Sequence, residues 1–239
     1  MIDSGLNKMH QMNEFENREA LDKALAEKIT SELLKAIQLK GKASIALSGG
    51  STPKGLFATL SNVDLPWDKV TVTLADERWV DIDSDASNTR LVHENLLVNN
   101  AKAAKFFHLK QGEELSAETL ADMKLAANST FLPFDVLILG MGEDGHTASL
   151  FPCSEQIEEG LDKNNTNVLM KVVPTTAPHD RITFTRQALS QSKTTILHIT
   201  GASKKDVLTN ALSNTNEKEM PIRAFLHDPE VNTQVFWAE

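Results

Sequence analysis

The stretch Phe134-Asp135-Val136-Leu137-Ile138-Leu139-Gly140-Met141-Gly142-Glu143-Asp144-Gly145-His146 runs from an apolar block into a turn that carries three glycines, two carboxylates and an imidazole. A near-continuous hydrophobic run reads as a buried parallel strand, and open α/β sheets bind their ligands at the carboxyl ends of such strands. His146 is therefore the first candidate for chemistry. Outward from this stretch, short β-rich runs recur at 43–47, 70–75, 181–185 and 194–200, separated mostly by helical patterns at 56–60, 88–97, 115–128 and 204–212. Alternation of this kind predicts an α/β fold: a doubly wound, mainly parallel sheet flanked by helices. Between residues 14 and 40 the apolar positions Leu21, Leu25, Ile29, Leu33 and Ile37 predict an amphipathic opening helix stopped by Gly41. Residues 158–167 read as a polar surface loop, and 233–237 as a terminal strand.

At 239 residues, with 41% hydrophobic content, the chain has ample material for one core, and no repeat or Pro/Gly-rich linker divides it. A single domain over 1–239 is expected. The net charge of −9 argues against a nucleic-acid partner, which calls for a basic face. Any phosphorylated ligand must instead find locally gathered positive charge. One cysteine, Cys153, cannot make an intramolecular disulfide, so the chain suits a reducing compartment such as the cytoplasm, and the thiol reads as a small packed hydrophobe. No apolar stretch approaches a membrane span, and the polar first twenty residues lack the apolar segment of a secretory signal.

Ser48-Gly49-Gly50-Ser51-Thr52-Pro53 follows the 43–47 strand and precedes a helix, with Thr52 placed to cap it and Pro53 in its first turn. Such a turn aims backbone N–H groups at one point beside a helix N-terminus, a setting for phosphate, although a plain capped glycine turn explains it equally well. It lacks the Gly-Lys-Ser/Thr ending of a Walker loop. Asp76-Glu77-Arg78-Trp79 comes at the end of the 70–75 strand. There Asp76 is a candidate acceptor for polyol hydroxyls and Arg78 a candidate for stabilising transition-state charge. Glu77 reads as a solvated ion-pair partner, Trp79 as packing, and Ser87-Asn88 as a helix cap without chemistry. Arg181 and Lys204 are candidates for the missing positive charge.

Gly140-x-Gly142-x-x-Gly145 satisfies the dinucleotide fingerprint literally, but only Thr147 to Phe151 separate it from Pro152. That is too short for the crossover helix the fingerprint requires. What remains is a turn in which Asp144 orients His146, a general base near neutral pH. The other histidines are scattered without metal-site spacing, and no Gly-x-Ser-x-Gly elbow occurs, so metal catalysis and a serine triad are both disfavoured.

Taken in order, Leu47 to Pro53, Asp76-Glu77-Arg78-Trp79-Val80, Ser87-Asn88, the unbroken run from Gly140 through His146-Thr147-Ala148-Ser149-Leu150-Phe151-Pro152, Arg181-Ile182-Thr183 and Gly201-x-x-Lys204 resemble the 6-phosphogluconolactonases. The resemblance spans most of the chain. It implies a Rossmann-like, deaminase/isomerase-like fold and cofactor-free hydrolysis of 6-phosphoglucono-δ-lactone in the pentose phosphate pathway. It also implies a phosphate held on Gly49, Gly50, Ser51 and Thr52 with charge from Arg181 and Lys204. His146, supported by Asp144, would activate water, Arg78 would stabilise the oxyanion and Asp76 would hold sugar hydroxyls. The related glucosamine-6-phosphate deaminases continue the turn as His-x-Ala-Phe-Asn-Glu, which puts a second carboxylate five residues beyond the histidine, whereas Phe151 stands there in this chain. A non-catalytic sugar-phosphate sensor is the remaining alternative. The oligomeric state is left open, with a monomer favoured.

Overall fold

The computed structural model describes residues 11–239. Its elements, in chain order, are β1 (Gln11–Phe15), α1 (Arg18–Lys40), β2 (Ala43–Leu47), α2 (Lys54–Ser61), β3 (Val70–Leu74), β4 (Asp76–Arg78), α3 (Asn88–Asn95), β5 (Lys105–Phe106), α4 (Ala117–Thr130), β6 (Val136–Leu139), α5 (Ile157–Leu161), β7 (Leu169–Val172), β8 (Arg181–Phe184), α6 (Arg186–Ser190), β9 (Thr194–Thr200), α7 (Ala202–Leu212), α8 (Arg223–Leu226) and β10 (Thr233–Ala238). Seven strands form one parallel sheet in the order β1-β10-β9-β6-β2-β3-β5, and helices flank it. The central strands β2 and β6 are buried along their whole length, which is why they read as unbroken apolar runs. No helix among the described residues is long and apolar enough to cross a membrane.

The strand order reverses at β2. From it the chain winds one way to β3, and β6 later joins its other side. Such a reversal opens a crevice at the strands' carboxyl ends. Here the Ser48 hydroxyl bridges the two sides, donating to the Ile138 carbonyl at 2.9 Å and accepting from Gly140 N–H at 3.1 Å.

Three features depart from the sequence reading. The opening helix begins at Arg18, capped by Asn17, and Glu14 belongs to β1. That edge strand pairs with β10 through its backbone and leaves most of its side chains exposed, so it has no apolar pattern to betray it. The 181–185 run does not join the parallel sheet: β4, β8 and β7 form a separate antiparallel sheet. Only Ala75 separates β3 from β4, and no helix lies between β7 and β8, so neither link has the length a parallel crossover needs. Ala75 joins the sheets, donating to the Leu47 carbonyl at 2.8 Å and accepting from Phe184 N–H at 3.0 Å. Finally, the expected loop at 158–167 starts as the short helix α5, whose Ile157 and Leu161 are buried.

Candidate active site

A cavity of about 290 Å³ opens at the carboxyl ends of β2, β3, β6 and β9. Gly49, Gly50, Ser51, Thr52, Asp76, Arg78, His146, Arg181 and Lys204 all line it. Asp144 stands behind His146 and does not reach the wall.

On the β2 side, a Cβ at Gly49 would fall 1.9 Å from the Asn88 side-chain oxygen, and Gly50 has φ 93°, so both positions require glycine. The expected Thr52 cap is absent. Pro53 already has helical angles (φ −79°, ψ −2°), α2 begins at Lys54, and no side chain caps it. A capping residue needs extended backbone at the helix entrance, which Pro53 does not offer. Thr52 instead contributes to the cavity wall.

Strand alternation sorts the acidic motif on β4. Asp76 and Arg78 point into the cavity, while Glu77 between them points the opposite way. Glu77 is not a solvated ion-pair partner. It is 1% exposed and accepts from Asn88 N–H at 2.9 Å, Thr89 N–H at 2.6 Å and the Thr89 hydroxyl at 2.8 Å, so it anchors the start of α3. Burial pushes its carboxyl up, and these hydrogen bonds only partly pull it back. Asp76 accepts from the Ser149 hydroxyl at 2.6 Å and lies 3.9 Å from the Arg181 guanidinium. Arg78 donates to the Ala86 carbonyl at 2.7 Å, and its buried Nε has no hydrogen-bond partner among the described residues. Trp79 packs as expected, its indole donating to the Glu113 carbonyl at 2.8 Å.

The loop after β6 turns back on itself, with Gly142 N–H donating to the His146 carbonyl at 2.9 Å and Gly145 N–H to the Gly142 carbonyl at 3.0 Å. No helix follows it before α5, which removes the dinucleotide reading. The turn puts one Asp144 oxygen 2.5 Å from His146 Nδ1 and 3.0 Å from its backbone N–H. Burial pushes the Asp144 carboxyl up, but the two hydrogen bonds and the charge of His146 outweigh it and hold it below the usual carboxylate range. With Nδ1 committed to the carboxylate, Nε2 is the nitrogen left to act as base.

Two further cations complete the wall. Arg181, 6% exposed, donates to the Pro178 carbonyl at 3.3 Å; burial lowers its pKa, opposed by the charge of Asp76 and reinforced by Arg78. Lys204, on α7, pairs with Glu143 at 2.9 Å. Three cations thus meet in one cavity of a chain with net charge −9.

Several residues at the site were given no chemistry by the sequence reading. Asn88 reads as a cap partner, yet its side chain lies against Gly49 and donates to the Asp76 carbonyl at 3.4 Å. Ser149 is distant from Asp76 in the chain, and His198 looked like one of the scattered histidines but lines the cavity from β9. Among the described residues, no three His, Cys, Asp or Glu side chains gather into a metal-holding group.

The profile of the family described as glucosamine-6-phosphate isomerases/6-phosphogluconolactonase matches residues 16–237. The chain belongs to this family. A family member from Rhizobium meliloti named 6-phosphogluconolactonase is 44% identical over 227 residues, covering 95% of this chain and 98% of that protein. A crystal structure of a 6-phosphogluconolactonase from Shewanella baltica superposes with a TM-score of 0.92 at 45% identity, over 97% of this chain and 99% of that one. A monomeric glucosamine-6-phosphate deaminase shares the fold with a TM-score of 0.76 at 18% identity, over 96% of this chain and 97% of its own.

Proposed function

We propose that this protein hydrolyses 6-phosphoglucono-δ-lactone to 6-phosphogluconate in the pentose phosphate pathway, as the names of its relatives suggest, acting as a monomeric single-domain enzyme of the cytoplasm. The observation that carries this reading is the Asp144–His146 pair at 2.5 Å beside a cavity lined by three cations. The substrate's phosphate rests on Gly49, Gly50, Ser51 and Thr52, with Arg181 and Lys204 supplying charge. His146 Nε2 removes a proton from water as that water attacks the lactone carbonyl. Arg78 stabilises the tetrahedral oxyanion, a role worth about 3 to 4 kcal/mol for a preorganised donor. When the carbon–oxygen bond of the ring breaks, the imidazolium returns its proton to the departing ring oxygen. Asp144 stabilises that imidazolium, and Asp76, already fixed by Ser149, accepts from sugar hydroxyls.

Lactones open readily in water, so one base and good positioning suffice. Loss of an amine from glucosamine 6-phosphate demands a further acid/base group, and the buried phenyl ring of Phe151 supplies none. The test is a comparison of freshly generated 6-phosphoglucono-δ-lactone with glucosamine 6-phosphate. Lactone loss above the spontaneous rate with no ammonia release is expected; ammonia release would give the deaminase reading instead. Binding without either reaction would make the chain a sugar-phosphate sensor.

A further inference from the structure

The imidazole of His146 is held at two places. Asp144 grips Nδ1, and the ring of Phe151 lies against the imidazole with centroids 4.3 Å apart and planes 27° from parallel. A hydrogen bond at a ring edge fixes one point and leaves rotation about it, whereas a face-to-face contact fixes the plane. Phe151 is 2% exposed and packs with Met170 and Val172 of β7 in a cluster apart from the main core. The turn that delivers it is pinned on both sides. Thr147 donates its hydroxyl to the Gly140 carbonyl at 2.8 Å, and Ser149 donates to Asp76 at 2.6 Å. The Arg181 guanidinium carbon lies 5.5 Å from the centroid of the same phenyl ring.

We propose that Phe151 is a positioning residue for hydrolysis, its ring face fixing the imidazole plane so that Nε2 meets the attacking water. This rests on His146 acting as the base. The ring does not line the cavity, and Arg181 keeps the Pro178 carbonyl and Asp76 as partners without it, so removing the ring leaves the anion site in place and acts on turnover. It also gives position 151 a reason to be aromatic beyond lacking a carboxylate.

Phe151→Met keeps an apolar side chain in the cluster but removes the flat face, and Phe151→Tyr keeps the face. For Met, kcat per folded molecule is expected to fall about tenfold or more, with KM within about twofold. Calorimetric affinity for 6-phosphogluconate should be unchanged. For Tyr, kcat should stay within about threefold of the parent. Thermal melts give the folded fraction, and Phe151→Leu replaces Met if Met does not fold. Unchanged kcat without the ring, an equal fall in Tyr, or a parallel loss of product affinity would overturn the proposal. His146→Ala, assayed alongside, separates the two ideas. If it is inactive while Phe151→Met is unaffected, only the role of Phe151 fails; if it is fully active, the base itself is wrong.

Discussion

Replacing Gly142 by alanine adds one methyl group at the back of the catalytic pair. A Cβ there would lie 2.0 Å from His146 Nδ1 and 2.6 Å from the Asp144 oxygen that holds it, where ordinary contact begins near 3.4 Å. The imidazole must retreat by about 1.4 Å or turn away from Asp144, since neither atom is the far end of a long flexible chain. A displacement near 1 Å between reacting groups costs on the order of 100-fold in rate, so kcat for the lactone should fall by about that factor or more. The backbone itself tolerates alanine, because Gly142 is not among the glycines with positive φ. The backbone adds no strain of its own, so the loss of stability should be limited to displacing the half-exposed His146 and Asp144 side chains, about 1 to 3 kcal/mol. The phosphate loop lies on another strand end, so affinity for 6-phosphogluconate should stay within about threefold. Steady-state hydrolysis with subtraction of the spontaneous rate, calorimetry with 6-phosphogluconate and a urea melt check all three. Full kcat in a folded Gly142→Ala protein would refute the claim that this imidazole, held at this place, performs the chemistry.

Two other outcomes follow from the same geometry. Lys204→Ala removes a cation from the phosphate side and should raise KM by about tenfold with little change in kcat; an unchanged KM would remove Lys204 from the site. His198 and Asp22 couple stability to pH in opposite directions. Burial lowers His198 to about 4, so from pH 6.5 downward only the unfolded chain takes up that proton, and stability falls by about 2 kcal/mol on reaching pH 5. Burial raises Asp22 to about 6, opposed by Arg18, and its carboxylate lies 3.7 Å from His198 Nε2. Below pH 6 the folded chain gains the Asp22 proton first, which stabilises it and offsets the histidine. Asp22→Asn removes the offset, so its urea midpoint should drop more steeply than the parent's between pH 7.5 and 5; equal slopes would refute the linkage.

The parallel sheet was legible because burial on both faces writes an unbroken apolar run, as at 136–139, and the α1 stripe was legible because one helix face is buried. Residues 11–15 form an edge strand whose side chains are mostly exposed, and Glu77 is buried by the turn that brings Thr89 beneath it; neither leaves a local pattern. The candidate site was legible where chemistry sits on glycine-rich turns at strand ends. Asn88, Ser149 and His198 were not, because their role depends on which distant backbone segment arrives beside them. The antiparallel placement of Arg181 was recoverable in principle, from the apolar run at 168–173 followed by a strand without an intervening helix pattern.

The most direct test is the rate of disappearance of freshly generated 6-phosphoglucono-δ-lactone at controlled pH, with the parent protein and with His146→Ala, each corrected for spontaneous opening. Acceleration by the parent, abolished in the variant while 6-phosphogluconate still binds, is the predicted result. Equal acceleration by both proteins would contradict a mechanism built on His146.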